Sequence, residues 1–397
     1  MRKLICFLLL SMMLVPLSVF GGGSTESGKS ASGGNKLDEW LQKAQLDKYR
    51  PAKDDWAAIE KAAKAEGTVV VYSNSSKVFE FCRSFYEKYG IKAIPNDIGT
   101  GDMIEKLNRL QGAGVYDVDV IITSGISTLY NEFVDTQKLF KFIPSELEPV
   151  IHSAYKDEKL GIQRLGGKLV VYNTEVYPNG SPVDNWWDMT RPEWRGRLIM
   201  KDPMLGGSDM SMMAMFIKNA DVMAAAYKKE FGKEITLSPG VPNAGYEFIK
   251  RLLDNDMVLT SGGDDVVISV GAPGQKKPPI GLTGPSKLSL KEEQTLYVDA
   301  IWDLEPFNMF MSQTAIGIPA RAPNPNAAKL LIKWMYGDEN GGLGYEPYHV
   351  DGTWPTRTDV KLVPGQKKLE ELKLWSEDGN WLYTNLMRFR DFWIQHM

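Results

Sequence analysis

The residues with the best claim to chemistry in this chain are small, neutral and grouped. The stretch VVVYSNSS (69–76) begins as a buried β-strand and stops at Ser73-Asn74-Ser75-Ser76, with no charge and no metal ligand. A plain turn uses one or two such residues. Four in a row ahead of a helical pattern present hydroxyls and backbone N–H groups to something polar. The same punctuation recurs: a second strand runs into Gly99-Thr100-Gly101-Asp102 and a third into Thr123-Ser124-Gly125. Farther along, one strand leads to Gly206-Gly207-Ser208-Asp209 and another to Thr283-Gly284-Pro285-Ser286. Small residues admit a ligand close to the backbone, and the helix after each turn offers unpaired N–H groups at its positive end. One such turn is what an ordinary helix N-cap looks like. The coincidence of five points to a compact polar ligand carrying a phosphate or carboxylate.

Covalent and metal chemistry find less support. The three histidines, His152, His349 and His396, are scattered and lack metal-ligand spacing. No HExxH, paired CxxC, P-loop or GxSxG occurs, and GTGDM (99–103) has too few glycines for a dinucleotide fingerprint. Asp264 and Asp265 are adjacent, and in the strand expected there they would face opposite ways. The methionines of DMSMMAMF (209–216) spread over several helix faces, as flexible core filler does. Cys82 lies on the apolar stripe Val78, Phe81, Phe85, Tyr89 and reads as a small buried hydrophobe. No catalytic residue, metal ligand or cofactor is expected. Trp302-Asp303 forms one separate hypothesis: the tryptophan stacking on a ligand ring while Asp303 or Glu305 accepts from ligand hydroxyls.

The elements that must position these turns alternate. Helices are expected over Asp54–Glu66 and Val78–Tyr89, the latter ending on Gly90, with strands Thr68–Tyr72 and Ile91–Pro95. Asp102-x-x-Glu105 reads as a capping box, followed by strand Val118–Ile122 and a helix through Leu129, Phe133 and Val134. Past Gly166 the pattern restarts with strands Lys168–Tyr172 and Leu198–Met200 and one long helix, Ser211–Phe231. Strands Val266–Val270, Pro279–Leu282, Leu296–Ile301 and Thr314–Ile318 and a helix from Asn326 to Tyr336 follow. Such alternation implies an α/β fold with mostly parallel sheets covered by helices, in which ligands sit beyond the carboxyl ends of the strands.

The chain has 397 residues and a net charge of −4, so length favours more than one domain. Arg2 and Lys3 precede an apolar run from Leu4 to Phe20, which reads as a secretory signal peptide over residues 1–21, an uncleaved membrane anchor being the alternative. No cysteine follows the run where a lipid anchor would need one. Residues 22–35 read as a flexible Gly/Ser tether. Only Cys82 remains beyond the signal, so no disulfide forms within the chain. An acidic exported domain is a poor candidate for nucleic acid.

Several stretches resemble the solute-binding proteins of bacterial ABC importers, in the group that carries ferric iron, thiamine, polyamines, aminoethylphosphonate or sugar phosphates. They are GGKLVVYNTEVY (166–177), NWWDMTRPEWRGRLIM (185–200), AIGIPARAPNPNAAKLLIKWMYG (315–337) and DGTWPTRTDV (351–360). The resemblance implies a two-lobed type II periplasmic-binding-protein fold, each lobe a mostly parallel sheet flanked by helices. It also implies discontinuous lobes, residues 36–167 with 303–347 and 168–302 with 348–397. The iron carriers bind their metal through adjacent tyrosines after a second-lobe strand, with His and Glu from the first lobe. The corresponding positions here are Pro285-Ser286, Ser76 and Ser124.

The expectation is therefore a monomeric, non-enzymatic, periplasmic protein that takes a small anionic or hydroxylated organic ligand, such as a sugar phosphate or phosphonate, between two lobes. It would deliver that ligand to an ABC permease and its ATPase subunits, touching the membrane only through the permease or an uncleaved anchor. The ligand would be cradled by Ser73–Ser76, Thr100, Gly101, Thr123–Gly125, Gly207–Asp209, Thr283, Gly284 and Ser286, with Trp302 and Asp303. The alternatives are a ferric carrier with non-tyrosine ligands, a cleft hydrolase, and a partner of a sensor.

Overall fold

A computed structural model describes residues 31–397. The signal segment and most of the tether lie outside the described residues. The first helix, α1 (Ala31–Ala44), opens inside the stretch expected to be a flexible tether, in register with Leu37, Trp40, Leu41 and Ala44, which pack on the core. Then come α2 (Trp56–Glu66), β1 (Thr68–Ser73), α3 (Val78–Tyr89), β2 (Lys92–Asp97), α4 (Thr100–Gly112), β3 (Val120–Thr123), α5 (Ile126–Thr128), β4 (Leu139–Phe140) and α6 (Ser153–Lys156). A long strand, β5 (Gly161–Asn173), leads to β6 (Leu198–Lys201), α7 (Ser208–Lys218), α8 (Ala220–Phe231), α9 (Ala244–Asp254), β7 (Val258–Thr260), α10 (Gly263–Gly271), β8 (Ile280–Thr283), α11 (Leu290–Glu293) and β9 (Val298–Ala300). A second long strand, β10 (Met309–Pro319), precedes α12 (Pro325–Tyr336), β11 (Trp354–Pro355), β12 (Leu374–Ser376) and α13 (Gly379–His396).

The main path of strands runs β2-β1-β3-β10-β5-β8-β6-β7. At one end β1 pairs parallel with β2 and β3; at the other β6 pairs parallel with β7 and β8. Between them β5 and β10 form an antiparallel ribbon, from Leu169 opposite Met309 to Gly161 opposite Ile316. β3 joins the late half of β10, at Thr123–Ala315, while β8 joins the late half of β5, at Leu169–Thr283. Each lobe is thus hung on one end of the ribbon. At its middle, a Cβ on Gly167 would lie 2.8 Å from Met309 Cγ and from the Phe310 carbonyl oxygen, so only glycine lets the strands approach there.

Each lobe has its own apolar core, and a third cluster lies along the ribbon. Val71, Phe81, Phe85, Ile122 and Trp334 fill the first. In the second, Trp186 stacks on Phe307 (4.8 Å, 18°) and Phe307 on Trp375 (4.1 Å, 15°). The methionines of α7 are core filler there, with Met212 and Met213 fully buried. Cys82 is buried in the first core, and burial pushes its thiol up to about 12.

Several sequence expectations are corrected. Residues 266–270 are part of helix α10, not a strand: Val266, Val267 and Val270 are buried and Ile268 faces out, the spacing of a helix behind Gly263, Asp264 and Asp265. The long helix expected over Ser211–Phe231 is two, broken at Asn219, whose side-chain amide donates to the Met215 carbonyl. Asp102-x-x-Glu105 is no capping box, because α4 already starts at Thr100 with Gly99 as its cap. Residues 354–357, expected in the second lobe, pack on the first half of β5: Trp354 pairs with Leu165, and Arg357 donates to the Tyr336 carbonyl. The Trp-rich tail instead joins the lobes, since α13 packs on α7 and α9 while Gly379 accepts from Ser127 of α5 at 2.7 Å.

Helix α9 crosses α7 at Gly245, where a Cβ would sit 2.1 Å from the Phe216 carbonyl oxygen and 2.5 Å from Ile217 Cα. Gly→Ala inside a helix ordinarily stabilises by about 1 kcal/mol. Gly245→Ala is expected to destabilise by about 1–3 kcal/mol instead, through forced separation of the two helices. A urea midpoint unchanged or raised would show that the close crossing is absent.

Candidate functional site

The lobes enclose a cleft of about 490 Å³ over the middle of the ribbon. On the first-lobe side the strand ends are stitched together by neutral groups. The Asn74 amide donates to Thr100 Oγ1 (3.1 Å) and Ser124 Oγ (3.0 Å), and Thr100 Oγ1 lies 2.9 Å from Thr123 Oγ1. Ser73 Oγ accepts from the Ser75 N–H at 3.2 Å. The polar run after β1 therefore divides its labour. Ser73 and Thr123 are fully buried scaffold, whereas Asn74, Ser75, Ser76, Thr100 and Ser124 line the cleft.

From the second lobe come Gly207, Ser208, Asp209, Thr283, Gly284 and Ser286. Thr283 Oγ1 donates to the Gly263 carbonyl (3.1 Å), tying the end of β8 to the start of α10. The lobes meet across a seam of glycines. A Cβ on Gly101 would approach Leu205 O to 3.4 Å, and one on Gly206 would lie 3.2 Å from Gly101 N. Gly207 and Gly125 pack against Thr100 in the same seam, Gly207 at φ +72° and Gly125 at φ +81°. Gly101 and Gly125 thus serve the contact between lobes and do not line the cleft.

Trp302 and Asp303 do not reach it. Neither is among the residues that line it. β9 pairs antiparallel with the late end of β5, at Val171–Asn173, and the Ile301 N–H continues that pairing onto the Val170 carbonyl. The Trp302 ring lies 5.6 Å from Lys367 Nζ, and its carbonyl accepts from Asn308 at 2.6 Å. The structure thus gives Trp302 partners outside the cleft lining.

What the turns did not reveal is the charge between them. Lys77, Arg164, Lys168, Lys201 and Lys287 line the cleft beside Asp97, Asp102, Asp209 and Asp264. Lys168 is bound to Asp209 at 2.7 Å and Lys287 to Asp264 at 2.7 Å. Arg164, 8% exposed, donates to Gln163 and lies 3.7 Å from the Tyr348 ring centre, with no carboxylate partner. The Lys77 ammonium donates to the Pro347 carbonyl, and the Lys201 ammonium makes no hydrogen bond or ion pair among the described residues, though Asp209 and Asp97 favour its charge from farther off. Burial lowers the pKa of all three, the mark of cations drawn out of water. A sequence signal existed. Arg164 and Lys168 stand four apart in a strand whose neighbours are apolar, hence on one face, and Lys201 ends a buried strand. The turn Ser261-Gly262-Gly263-Asp264, which also lines the cleft, was hidden by reading the residues after it as a strand.

Outside the cleft, Asp184, Asp188 and Glu230 are the one trio of His, Cys, Asp or Glu side chains among the described residues able to share a cation. Asp188 is already committed to the Asp184 and Asn185 N–H groups and to Arg191.

Two lobes, two crossing strands and a polar cleft between them define a binding protein that closes on a solute. Residues 80–373 match the bacterial extracellular solute-binding protein family, and the chain belongs to it. It is accordingly a solute-binding protein of an ABC importer, with a small-molecule ligand and a permease as its partners. Among curated proteins, none matches the sequence. The fold is similar to that of the periplasmic binding protein P5PA (17% identity, TM-score 0.62, covering 83% of this chain and 99% of that one). It is also similar to AfuA from Actinobacillus pleuropneumoniae with fructose-6-phosphate bound (18%, 0.62, 83% and 97%) and to iron-bound HitA from Pseudomonas aeruginosa (15%, 0.60, 82% and 99%). No helix among the described residues is long and apolar enough to cross a membrane.

The glycine seam makes a prediction of its own. A Cβ on Gly207 would lie 3.2 Å from Ser124 Oγ and from Thr100 Oγ1, at a backbone angle that side chains rarely adopt. Gly207→Ala should hold the lobes apart and raise the radius of gyration in small-angle scattering. An unchanged profile would show that the lobes do not meet here in solution.

Proposed function

We propose that this protein captures a small organic phosphate in the periplasm and hands it to its permease without covalent chemistry. The observation that carries the reading is the set of partly or fully buried cations with no carboxylate at ion-pair distance among the described residues, Lys77, Arg164 and Lys201. They stand in a cleft rich in hydroxyls whose other cations, Lys168 and Lys287, are paired with Asp209 and Asp264. A phosphate monoester brings close to two negative charges and three acceptor oxygens, the complement of such a lining. In this reading Lys201 and Arg164 hold the phosphate, and Asn74, Ser75, Ser76, Thr100, Ser124, Ser208, Thr283 and Ser286 bind its oxygens and the attached polyol. The proposed lobes are residues 36–167 with 303–347 and 168–302 with 348–397, with residues 354–357 moved to the first. The fructose-6-phosphate on AfuA is consistent with this ligand class.

Thermal shift and calorimetry with fructose-6-phosphate, fructose, inorganic phosphate and ferric citrate test the proposal. The sugar phosphate should stabilise the protein and fructose should not. Lys201→Met should weaken the sugar phosphate by roughly 10–100-fold, the worth of a hydrogen bond to a charged group, about 1.5–3 kcal/mol. Affinity should also fall below about pH 6, where the monoester loses its second charge. Stabilisation by ferric salt alone would restore the iron-carrier alternative. Equal binding of fructose would remove the anion.

A further inference from the structure

A second chamber of about 550 Å³ adjoins the cleft, and the two share Ser76, Lys77, Asp264, Ser286 and Lys287 along their common wall. Each chamber is by itself as large as an ordinary small-molecule site. The outer one differs in character. Its lining sets Glu80, Asp264, Glu293 and Glu346 against Lys77, Arg83 and Lys287, where the inner cleft has cations in excess, and adds the hydroxyls of Ser84 and Ser289. No aromatic ring lines it. Mixed charges without an excess of cations favour a neutral occupant whose groups both donate and accept: each sugar hydroxyl can give a hydrogen bond to a carboxylate and take one from a cation. The lack of an aromatic face leaves a nucleobase nothing to stack on. Apolar contacts come from Leu290, Leu343 and Val350, enough to cover the edge of a ring but not to bury a hydrocarbon tail.

Building on the anion reading of the inner cleft, we propose that the protein is shaped for a phosphorylated disaccharide. The phosphate and the first ring lie in the inner chamber, and the second ring lies in the outer one. Lys77 and Lys287 stand at the junction, one from each lobe, positioned to meet the bridging part of the molecule. A ligand of this length touches both lobes twice, once at the glycine seam and once at the rim between Glu80 of α3 and Ser289 ahead of α11.

Calorimetry with sucrose-6-phosphate, fructose-6-phosphate and sucrose decides the matter. The disaccharide phosphate should bind at least tenfold tighter than the monosaccharide phosphate, and sucrose should bind far more weakly than either. Ser289→Trp, at an exposed position, fills the outer chamber. It should abolish the tenfold preference while leaving fructose-6-phosphate within twofold of the native protein. Glu346→Ala, also exposed, should cut the preference without filling space, a control for any misfolding of the tryptophan variant. Fructose-6-phosphate binding as tightly as sucrose-6-phosphate would overturn the two-ring inference alone. Failure of both phosphates to bind would overturn the anion reading beneath it.

Discussion

The antiparallel ribbon of β5 and β10 is the constraint on which the rest of the molecule depends. Both strands pass through both lobes, so the two cores are built on one shared pair of backbones and not on a flexible linker. The ribbon also forms the floor of the cleft. Arg164, Gly166 and Lys168 follow at alternate positions of β5 and point to one face, with Ser312 of β10 opposite Gly166. The close approach at Gly167 keeps that floor flat, because any side chain there would drive Met309 and the Phe310 carbonyl away. Positioning of the charged groups is thereby delegated to the most rigid element available, and motion is left to the loops at the strand ends.

Charge and shape then work against one another across the gap. The glycines at 101, 125, 206 and 207 let the lobes come together almost backbone to backbone, so closure meets little steric resistance. Closure also brings Lys77 and Arg164 of the first lobe toward Lys201 and Lys287 of the second. Burial is the main cause that lowers the pKa of Lys77; Glu80 opposes it, and Lys287 and Arg164 add to it. Like charges moved out of water repel more strongly as the local dielectric falls. An anion between them reverses the sign of that interaction, and a ligand with such a differential preference is what shifts a two-state equilibrium toward the closed form.

The sequence disclosed most of this where local pattern and tertiary role coincide. β1, α3, β6 and α12 lie within a residue or two of their expected bounds, because their apolar spacing is also their buried face. The polar turns after β1, β3 and β8 lie in one place because the carboxyl ends of the two parallel sets face each other across the antiparallel ribbon. The misreadings share a different cause. VVISV at 266–270 is β-branched throughout, and only its contacts in three dimensions reveal a helical burial pattern. Arg164 was invisible because β5 was expected to begin at Lys168, which left the arginine in a loop. Trp302 was placed by topology alone, and the direction in which a chain leaves a short strand is not written in its composition.

Arg164 shows how a cation can be kept in such a place without being neutralised. A buried guanidinium beside a carboxylate would be satisfied, and its charge would be spent before any ligand arrived. Here the segment that returns after α12 sets the Tyr348 ring centre 3.7 Å from it instead, and Gln163 takes one of its donors. A tyrosine ring offsets part of the desolvation cost through its quadrupole without neutralising the cation. Tyr348 is held in turn by the first-lobe core, near Tyr345 (6.4 Å) and Phe81 (6.3 Å). The ring thus holds Arg164 in place while the residue still lines the cleft. A lysine at 164 could carry the same charge but could not present a planar fork of donors to an oxyanion.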